Sequence, residues 1–369
     1  MAVRTQPPFR ADHVGSFLRP PELLALREKV AKGEATQAQL QALEDKAIRD
    51  VAKMQEGLGL QAITDGEFRR DGFHTDFLNK IGGMEFKMIP PEERARVGSI
   101  GGPFIAAVEG RLTRPSGGME VENYKFLASC TKETAKITIP SPTMLHFRGG
   151  RKAISETAYP DIDEFFADVA KLYSDEIKAL AAAGCRYVQY DDTNLAYLCD
   201  PALREQAKAR GDDPDKLPHT YAKLINDSIK DRPKDMAVGV HLCRGNAQSQ
   251  WFAQGGYEPV AEAMFNELDI DAFFLEYDDE RSGDFRPLRF VPKGKMVVLG
   301  LITSKSGALE KGDDVAKRID QAAKFMPLDQ LCLSPQCGFA SAAPGNKLSK
   351  DEQAAKIGLV VDVAHQIWG

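Results

Sequence analysis

The sequence predicts an α/β protein of the (β/α)8 barrel class. Eight short, mostly apolar runs alternate along the chain with longer helical patterns, and most of the runs close with Gly, Pro, Asp or Ser. Uninterrupted apolar runs of this length are typical of strands buried on both faces, as in parallel sheets. A doubly wound sheet is the alternative, but the chain has no GxGxxG after the first run and no GxxxxGK[ST].

The elements follow one another in a regular order. The predicted strands cover residues 11–16, 61–67, 136–142, 185–192, 236–243, 272–278, 296–302 and 331–338. Helices are indicated between most of them by capping residues and by glycines that end a helical pattern. The clearest signals are Thr36 before a helix that ends at Gly57 or Gly59, acidic residues after Pro160 in a helix that stops at Gly184, and Ser349 before the terminal helix.

Two segments do not fit a minimal barrel. Residues 1–35 indicate an N-terminal extension with a short helix, and residues 81–130, rich in Gly and Pro, indicate a hairpin-like insertion. With these additions, residues 1–369 are predicted to form a single barrel domain, a size that one large barrel can reach.

Composition excludes several classes of protein. The chain is 43% hydrophobic and 28% charged, with a net charge of −6 and no long basic run, so generic nucleic-acid binding is not expected. It has no apolar run of about 18 residues and no secretory h-region, so we expect neither a membrane span nor export. Its six cysteines are scattered, which favours reduced thiols in a cytoplasmic protein.

The carboxyl ends of the predicted strands are unusually polar. Active sites of (β/α)8 barrels gather at this end of the strands. In "VGVHLCRGN" a strand ends with His241 and Cys243, and because residues i and i+2 on a strand face the same way, an imidazole and a thiol point to one place. Alone, the pair also fits two side chains that fill a core.

Two further residues complete a set with metal-binding chemistry. Glu276 closes the next strand in "FFLEYD", where a salt bridge to an arginine is the alternative, and Cys337 follows the last strand in "LSPQCGF". Strand eight closes the barrel beside strand one, so Cys337 can reach the axis. His241, Cys243, Glu276 and Cys337 would make a tetrahedral site of ligand types that Zn²⁺ accepts.

Such a site predicts thiol chemistry. Two thiolates and a carboxylate give a bound Zn²⁺ site a net charge of about −1, which suits a weak Lewis acid. A carboxylate oxygen is the ligand that a soft thiolate displaces most easily. We therefore expect a zinc-bound substrate thiolate to attack an electrophilic carbon.

These segments resemble the zinc-ligand motifs of cobalamin-independent methionine synthase, in particular its short, single-barrel members. The resemblance covers nearly the whole chain and implies that His241, Cys243, Glu276 and Cys337 bind zinc. "DHVGSFLRP" is similar to the segment that holds the homocysteine carboxylate, which implies that role for Val14, Gly15 and Ser16. "TDGEFRRDGF" and "VQYDDTNLA" resemble the segments whose acidic residues bind the homocysteine amino group, here Glu67 and Asp191.

The substrate-binding assignments have structural alternatives. Glu67 could pair with Arg69 or Arg70. Asp191 could cap the loop after the fourth strand, and Ser16 could cap a helix near residues 19–20. Homocysteine carries a cation, an anion and a thiol, so two carboxylates, backbone N–H groups and zinc form a complementary set.

Three departures from the family concern the methyl donor. The full-length family has a second, N-terminal barrel that helps to hold a polyglutamylated folate. In "IPSPTMLHFRGG", Phe147 stands where the family has a tryptophan that stacks on the pterin, with a core position as the alternative. A family histidine after the seventh strand is replaced in "LITSKSGALE", where Lys305 is a candidate catalytic residue that binds an anionic donor or is simply solvated.

The resemblance implies a zinc-dependent thiol methyltransferase that makes methionine from homocysteine, with a methyl-folate, a methyl-corrinoid protein or another small molecule as donor. One alternative is an alkyl transferase similar to epoxyalkane:coenzyme M transferases, although that thiol has no ammonium for Glu67 and Asp191. Another is a non-catalytic zinc- or thiol-binding protein. A plain hydrolase fits poorly, since no GxSxG is present. The oligomeric state is left open.

Overall fold

The structure, a computed structural model, describes residues 4–88 and 104–369. Its strands are Ala62–Ile63 (β1), Gly82–Met88 (β2), Phe104–Thr113 (β3), Thr134–Ala135 (β4), Ile137–Pro140 (β5), Tyr187–Asp192 (β6), Ala237–Leu242 (β7), Ala272–Glu276 (β8), Met296–Ile302 (β9) and Leu331–Pro335 (β10). Its helices are Pro21–Ala31 (α1), Gln37–Gly57 (α2), Thr75–Leu78 (α3), Val121–Cys130 (α4), Ile162–Ala182 (α5), Asn194–Tyr197 (α6), Pro201–Arg210 (α7), Leu217–Ile229 (α8), Glu258–Glu267 (α9), Gly312–Ala322 (α10) and Lys350–Trp368 (α11). Short 3-10 turns occur at Pro142–Leu145, Gly150–Ala153, Glu280–Ser282, Arg286–Phe290 and Leu328–Gln330.

A parallel sheet organises the chain. Strands β5 to β10 pair in sequence order, every pair parallel, and β4 pairs with β1 in a second parallel ladder. A parallel bridge from Ala11 to Leu333 adds the N-terminal segment beside β10. Seven of the eight predicted runs contain a strand of this system, and the run 11–16 contributes the bridge alone, which confirms the predicted α/β architecture.

The ladder is incomplete between the first and second predicted strands. Among the described residues no strand pairing joins 11–16 to β1, but other hydrogen bonds join these parts of the chain, among them one between the His13 ring and the Ala62 carbonyl at 3.0 Å. The Thr64 hydroxyl donates to the Gly15 carbonyl at 2.6 Å, and the Phe17 N–H donates to the Gly66 carbonyl at 3.1 Å. These bonds bring residues 14–17 beside residues 64–67, so both predicted amino-acid-binding segments meet at one end of the sheet.

The predicted additions are partly confirmed. Residues 21–31 of the N-terminal extension are helical, and β2 and β3 form an antiparallel hairpin within the predicted insertion. The connection 89–103 lies outside the described residues. The end of the insertion, Val121–Cys130, is a helix that packs on α2 and α5. That residues 1–369 make one domain stays a prediction.

The interior beneath the site holds a buried ion pair. Lys136 and Asp12 are both fully buried, with Nζ 3.0 Å from Oδ1. The second Asp12 oxygen accepts from the Tyr187 hydroxyl at 2.8 Å, and the ammonium lies 4.2 Å from the centre of the Phe274 ring. Each charge therefore has a partner, as a buried ion pair requires.

In the described part of the chain, no helix is long and apolar enough to cross a membrane.

The predicted helix caps are present. Thr36 caps α2, which ends at Gly57, and Asp161 caps α5. Ser349 forms a capping box with Glu352: the hydroxyl accepts from the Glu352 N–H at 3.2 Å, and the carboxylate accepts from the Ser349 N–H at 2.7 Å. Two amide groups at the start of α11 thereby gain partners.

The first prediction concerns this cap. Ser349→Ala should lower the free energy of unfolding by about 1 kcal/mol, because one cap acceptor is lost, as measured by urea denaturation of the full chain. Glu352→Gln is the matched control, since glutamine also completes a capping box, and it should cost less. Equal losses in the two variants would contradict the assignment of the effect to the serine cap.

Candidate metal centre and adjoining cavity

Two neighbouring strands and the segments that follow β7 and β10 bring the predicted metal ligands to one point. His241 lies on β7, Cys243 follows it, Glu276 ends β8 and Cys337 follows β10. One ligand atom from each of the four residues lies within 4.8 Å of all the others. The structure therefore brings together all four predicted ligands, which we call the His–Cys–Glu–Cys set.

The atoms of this set suit a cation. The two thiol sulfurs are 3.4 Å apart, and the hydrogen bond from Cys243 holds the pKa of the Cys337 thiol well below its usual range. Neither ring nitrogen of His241 makes a hydrogen bond of normal geometry among the described residues, although both are buried and the Cys337 thiol interacts with the ring. A buried imidazole with unused nitrogens calls for an explanation, and a metal ion bound to one of them would supply it.

A second layer of contacts holds the Glu276 carboxylate. One oxygen accepts the Arg244 backbone N–H at 2.8 Å, and the other lies 3.1 Å from the Arg281 guanidinium. Arg281 also pairs with Asp278 at 3.0 Å. The Asp278 carboxylate in turn lies 3.1 Å from Lys305 Nζ. The salt bridge to an arginine that was considered as the alternative for Glu276 is therefore present. Glu276 also lies close to the other three predicted ligands. Burial raises the pKa of Glu276.

Glycines allow the Cys337 turn to approach the strands. A Cβ on Gly300 would lie 2.6 Å from Gln336 Cα, and one on Gly338 would lie 2.0 Å from Ser16 Oγ. Both distances are below any normal contact. The turn is also tied by the Asn246 amide, which donates to the Gly338 carbonyl at 2.7 Å. Sequence reasoning missed Asn246, because an asparagine three residues after a ligand cysteine has no distinctive spacing.

A cavity of about 440 Å³ opens beside the metal set. His241, Cys243 and Cys337 line it, as do the predicted substrate-binding residues Val14, Ser16, Glu67 and Asp191. Gly15 lies behind them, with φ +135°, and a Cβ there would meet the Thr138 side chain at 2.6 Å. Cavities of this size are typical of small-molecule sites.

The two carboxylates of the cavity are buried and incompletely paired. Glu67 accepts from the Thr138 hydroxyl at 2.9 Å through one oxygen, and its other oxygen has no partner among the described residues. Of the two arginines considered as alternative partners, Arg70 forms an ion pair with Glu67 at 3.8 Å, whereas Arg69 pairs with Glu44 and Asp45. Glu67 also has a φ of +60°, which is uncommon for a residue with a side chain and is often found at functional sites. Burial raises its pKa.

The Asp191 carboxylate is buried with few hydrogen-bond donors around it, and its pKa is strongly raised. Its carboxylate accepts from the Gln189 amide at 2.6 Å, and the same amide donates to the Val14 carbonyl at 2.7 Å. Burial, with the nearby Glu67 charge, raises the pKa of Asp191 to about 7. The capping role considered for it belongs to its neighbour, since Asp192 accepts the Leu195 N–H at 2.8 Å.

Ser16 contacts the turn after β10. Its hydroxyl accepts from the Ala340 N–H at 3.3 Å, and its carbonyl accepts from the Phe339 N–H at 2.9 Å. The helix cap considered as its alternative role is not formed, because the cap position of α1 is Pro20 and no side chain caps that helix. Ser16 therefore joins the N-terminal segment to the Cys337 turn.

The two residues expected near the methyl donor contact other side chains. Phe147 is 4% exposed and packs 6.0 Å from the Tyr197 ring centre, with the Arg210 guanidinium 5.1 Å from its own. Lys305 pairs with Asp278. In the part of the chain that the structure describes, neither lines the cavity. The core position considered for Phe147 therefore agrees with its surroundings, and the donor-binding roles of both residues stay predictions.

Comparisons with known proteins now decide the family. The family model described as "Cobalamin-independent synthase, Catalytic domain" matches residues 9–366. The chain belongs to this family. A Listeria monocytogenes protein assigned as a vitamin-B12 independent methionine synthase has a solved structure that matches with a TM-score of 0.79 and 37% identity, over 99% of this chain and 100% of that one. The family match confirms the predicted resemblance and the barrel class.

Other relatives differ in sequence identity and in the share of their length that this chain covers. The uncharacterized protein YxjH of Bacillus subtilis is 46% identical over 98% of this chain and 95% of its own length. The 5-methyltetrahydropteroyltriglutamate–homocysteine methyltransferase of Bacillus velezensis is 25% identical over 96% of this chain, which spans 42% of that protein. A B12-independent methionine synthase from Shewanella matches with a TM-score of 0.69 at 20% identity, which supports the fold alone.

The second prediction follows from the pKa of Asp191. A carboxylic acid whose pKa is about 7 when folded and 3.8 when unfolded keeps a proton that the unfolded chain has released. Its contribution to the free energy of unfolding therefore decreases as pH rises between these values. Asp191→Asn should remove this component, so stability should depend less steeply on pH from about 4 to about 7.

Urea denaturation at several pH values measures the difference between variant and parent. Exposed Asp320→Asn is the matched control and should leave the pH dependence of the parent unchanged. Parallel pH curves for Asp191→Asn and the parent would contradict the raised pKa.

Proposed function

We propose that this protein is a zinc-dependent methyltransferase that converts homocysteine to methionine. The observation that carries the proposal is that one cavity combines three members of the His–Cys–Glu–Cys set with two buried, incompletely paired carboxylates. Homocysteine has a thiol for the first group and an ammonium for the second. Membership of the cobalamin-independent synthase family supports the same reaction.

The residues of the His–Cys–Glu–Cys set fit Zn²⁺. One nitrogen, two sulfurs and one oxygen are ligand types that Zn²⁺ binds in tetrahedral sites, and the unused nitrogens of buried His241 provide an independent reason to place a cation there. Bound at these residues, Zn²⁺ would lower the pKa of a substrate thiol and keep its sulfur nucleophilic. His241, Cys243, Glu276 and Cys337 would hold it.

Glu276 is suited to be the exchangeable ligand. A carboxylate oxygen is a harder ligand than the two thiolates, so it is the group that an incoming sulfur would replace. Arg281 and the Arg244 N–H already contact the two carboxylate oxygens, and they would continue to neutralise the charge after such a replacement. Because Arg281 is in turn shared with Asp278, and Asp278 with Lys305, the position of Glu276 would change little.

The amino acid is oriented by groups at the opposite side of the cavity. Asp191 and the unpaired oxygen of Glu67 would accept hydrogen bonds from the substrate ammonium, which would add a second positive charge to that of Arg70, 3.8 Å from the other Glu67 oxygen. Binding of the ammonium would release the proton that Asp191 otherwise retains. Ser16 and the backbone of Val14–Gly15 would contact the substrate carboxylate.

Methyl transfer requires that the substrate sulfur is correctly placed and that water is excluded from it. A sulfur–carbon bond forms while the bond from that carbon to the donor breaks, and the bonding pair stays with the donor. The thiol proton is released to solvent before this step, while the cavity is still open. The buried walls at His241, Cys243 and Cys337 keep water from the sulfur, which preserves its reactivity. A methyl-folate, a methyl-corrinoid protein or another methylated small molecule is the donor in this proposal.

The third prediction tests the metal ligands. Cys243→Ser and Cys337→Ser should each lose most of the bound zinc and the formation of methionine, because a hydroxyl is a poor replacement for a thiolate ligand. Cys130→Ser, which changes a half-buried thiol outside the set, is the control and should keep both. Metal content is measured on the purified full chain. A ligand variant with full zinc content would refute the assignment.

The fourth prediction separates substrate binding from metal binding. Asp191→Asn should raise the KM for homocysteine by about 10- to 100-fold, the effect of a lost charge-assisted hydrogen bond, without loss of zinc. Methionine formation and metal content are measured on the same preparations. Parallel losses of zinc and of homocysteine binding would contradict the separate role of Asp191.

Zinc-edge X-ray absorption distinguishes the enzyme from a closed zinc-binding site. On addition of homocysteine, the enzyme should gain one sulfur ligand and lose one nitrogen or oxygen ligand. Unchanged coordination would refute catalysis through the metal and would support permanent ligation by the four residues. Replacement of homocysteine by coenzyme M tests the alternative thiol, which lacks an ammonium for Asp191 and Glu67.

A further inference from the structure

The insertion between β1 and β4 places a buried carboxylate beside the segment that carries Glu67. Glu120 directly precedes α4, and its side chain is 1% exposed. One carboxylate oxygen lies 3.2 Å from Lys80 Nζ, and the other lies 3.5 Å from the Arg70 guanidinium and accepts the Asn123 amide at 2.7 Å. Although burial opposes it, the Arg70 and Lys80 charges lower the pKa of Glu120. The insertion therefore brings an ionised carboxylate to Arg70.

The backbone at this point is held by a second buried carboxylate. Glu176 on α5 is fully buried and accepts the N–H groups of Met119 at 3.0 Å and of Glu120 at 2.8 Å. It also pairs with the Arg114 guanidinium at 2.7 Å. The insertion is thus fastened to a long helix of the α/β system directly beside Glu120.

Arg70 is held from two sides, by Glu120 and by Thr138. Its side chain is 4% exposed, and its guanidinium donates to both the carbonyl and the hydroxyl of Thr138, the latter at 3.3 Å. Although burial opposes it, the Glu120 and Glu67 charges raise the pKa of Arg70, so the guanidinium keeps its charge. In the described part of the chain, Glu120 at 3.5 Å and Glu67 at 3.8 Å are the carboxylates within ion-pair distance of Arg70.

Thr138 connects Arg70 to Glu67. Its hydroxyl accepts from Arg70 and donates to Glu67 at 2.9 Å. A hydroxyl has a single proton, so the guanidinium N–H at its acceptor side directs this proton to Glu67. The contact occupies one Glu67 oxygen, and the other has no partner among the described residues. Glu120, Arg70 and Thr138 thus hold a carboxylate with one oxygen free at the wall of the cavity.

Removal of the Glu120 charge would change this balance. Arg70 would then keep Glu67 as its one carboxylate within ion-pair distance among the described residues, and a closer pair between them would compete with a substrate ammonium for Glu67. The Glu67 backbone is held independently, because its carbonyl accepts from the Arg19 guanidinium at 3.0 Å and its N–H donates to Asp65 at 2.8 Å. The loss would therefore act on the Glu67 side chain and leave its backbone in place.

We propose that Glu120 and Arg70 are positioning residues for the binding of the substrate ammonium. Glu120 retains the arginine charge at a distance from Glu67, and Arg70, through Thr138, orients Glu67 with one oxygen free. This inference rests on the proposed function and deepens it, since it assigns to the insertion a part in the selection of thiols that carry an amino group. Glu120 then controls selectivity for such thiols rather than affinity for thiols in general.

Two thiols that differ only in the amino group separate this role from a structural one. Homocysteine carries the ammonium, and γ-mercaptobutyrate is the same chain without it. Calorimetry measures the Kd of each thiol with the zinc-loaded full chain, for the parent, Glu120→Gln, Glu120→Asp, Arg70→Met and the double variant Glu120→Gln with Arg70→Met. Glu122→Gln, which changes an exposed carboxylate on the same helix, is the matched control. Zinc content and urea denaturation establish that each variant is loaded and folded.

The parent should bind homocysteine more tightly than γ-mercaptobutyrate. Glu120→Gln should raise the Kd for homocysteine about tenfold, which corresponds to one hydrogen bond, and should change the Kd for γ-mercaptobutyrate less than about twofold. Glu120→Asp, which keeps the charge, should show a smaller loss that is again confined to homocysteine. In the Arg70→Met background, Glu120→Gln should have little further effect, because Glu120 acts through Arg70. Glu122→Gln should match the parent.

Three results would overturn the inference. These are an unchanged Kd for homocysteine in a folded, zinc-replete Glu120→Gln variant, equal losses for the two thiols, or additive effects of Glu120→Gln and Arg70→Met. If Glu120→Gln does not fold, the two thiols are compared in Glu120→Asp, where equal losses again contradict the role. Failure of the proposed function appears in the parent itself, as homocysteine that does not bind or binds no better than γ-mercaptobutyrate, and it overturns the inference as well.

Discussion

Parallel, in-register pairing of β6, β7 and β8 is the constraint on which the site depends. In this register Asp191 lies beside His241, and His241 lies beside Phe274, two residues before Glu276. A shift of one residue would turn each of these side chains to the opposite face of its strand. Asp191 and the His–Cys–Glu–Cys set are thus placed relative to one another by backbone hydrogen bonds, before any contact between their side chains.

The same arrangement concentrates buried charge, and a connected set of partners makes this possible. At the metal end, Glu276, Arg281, Asp278 and Lys305 form a continuous chain of ion pairs. At the substrate end, Glu67 and Asp191 have fewer partners than burial demands. An unpaired buried charge is costly. In the proposed function, the ammonium of the substrate would reduce this cost, so local stability would be exchanged for complementarity to the ligand.

Much of the fold and of the metal centre could be predicted from particular residues. Thr36 and Ser349 identified two helix starts, since a cap depends on local hydrogen bonds. The runs 236–243 and 272–278 identified the strands that carry His241 and Glu276, and the position of both residues near the carboxyl ends of these runs predicted that they would share one end of the sheet. Phe147 and His74 could not be distinguished in this way. Both are single aromatic or imidazole residues in loops after strands, where no periodicity predicts the direction of a side chain.

The sequence by itself determined the order of the strands, the chemistry at their carboxyl ends and the ligand types of the His–Cys–Glu–Cys set, because these depend on hydrophobic pattern and residue identity. Only the tertiary structure decided that Asp192 rather than Asp191 accepts the Leu195 N–H, that Lys305 pairs with Asp278, and that His74 and Tyr197 rather than Phe147 line the cavity. The physical reason is that partner choice and exposure of a side chain depend on residues distant in sequence, which the chain brings together only when the sheet and its loops have packed.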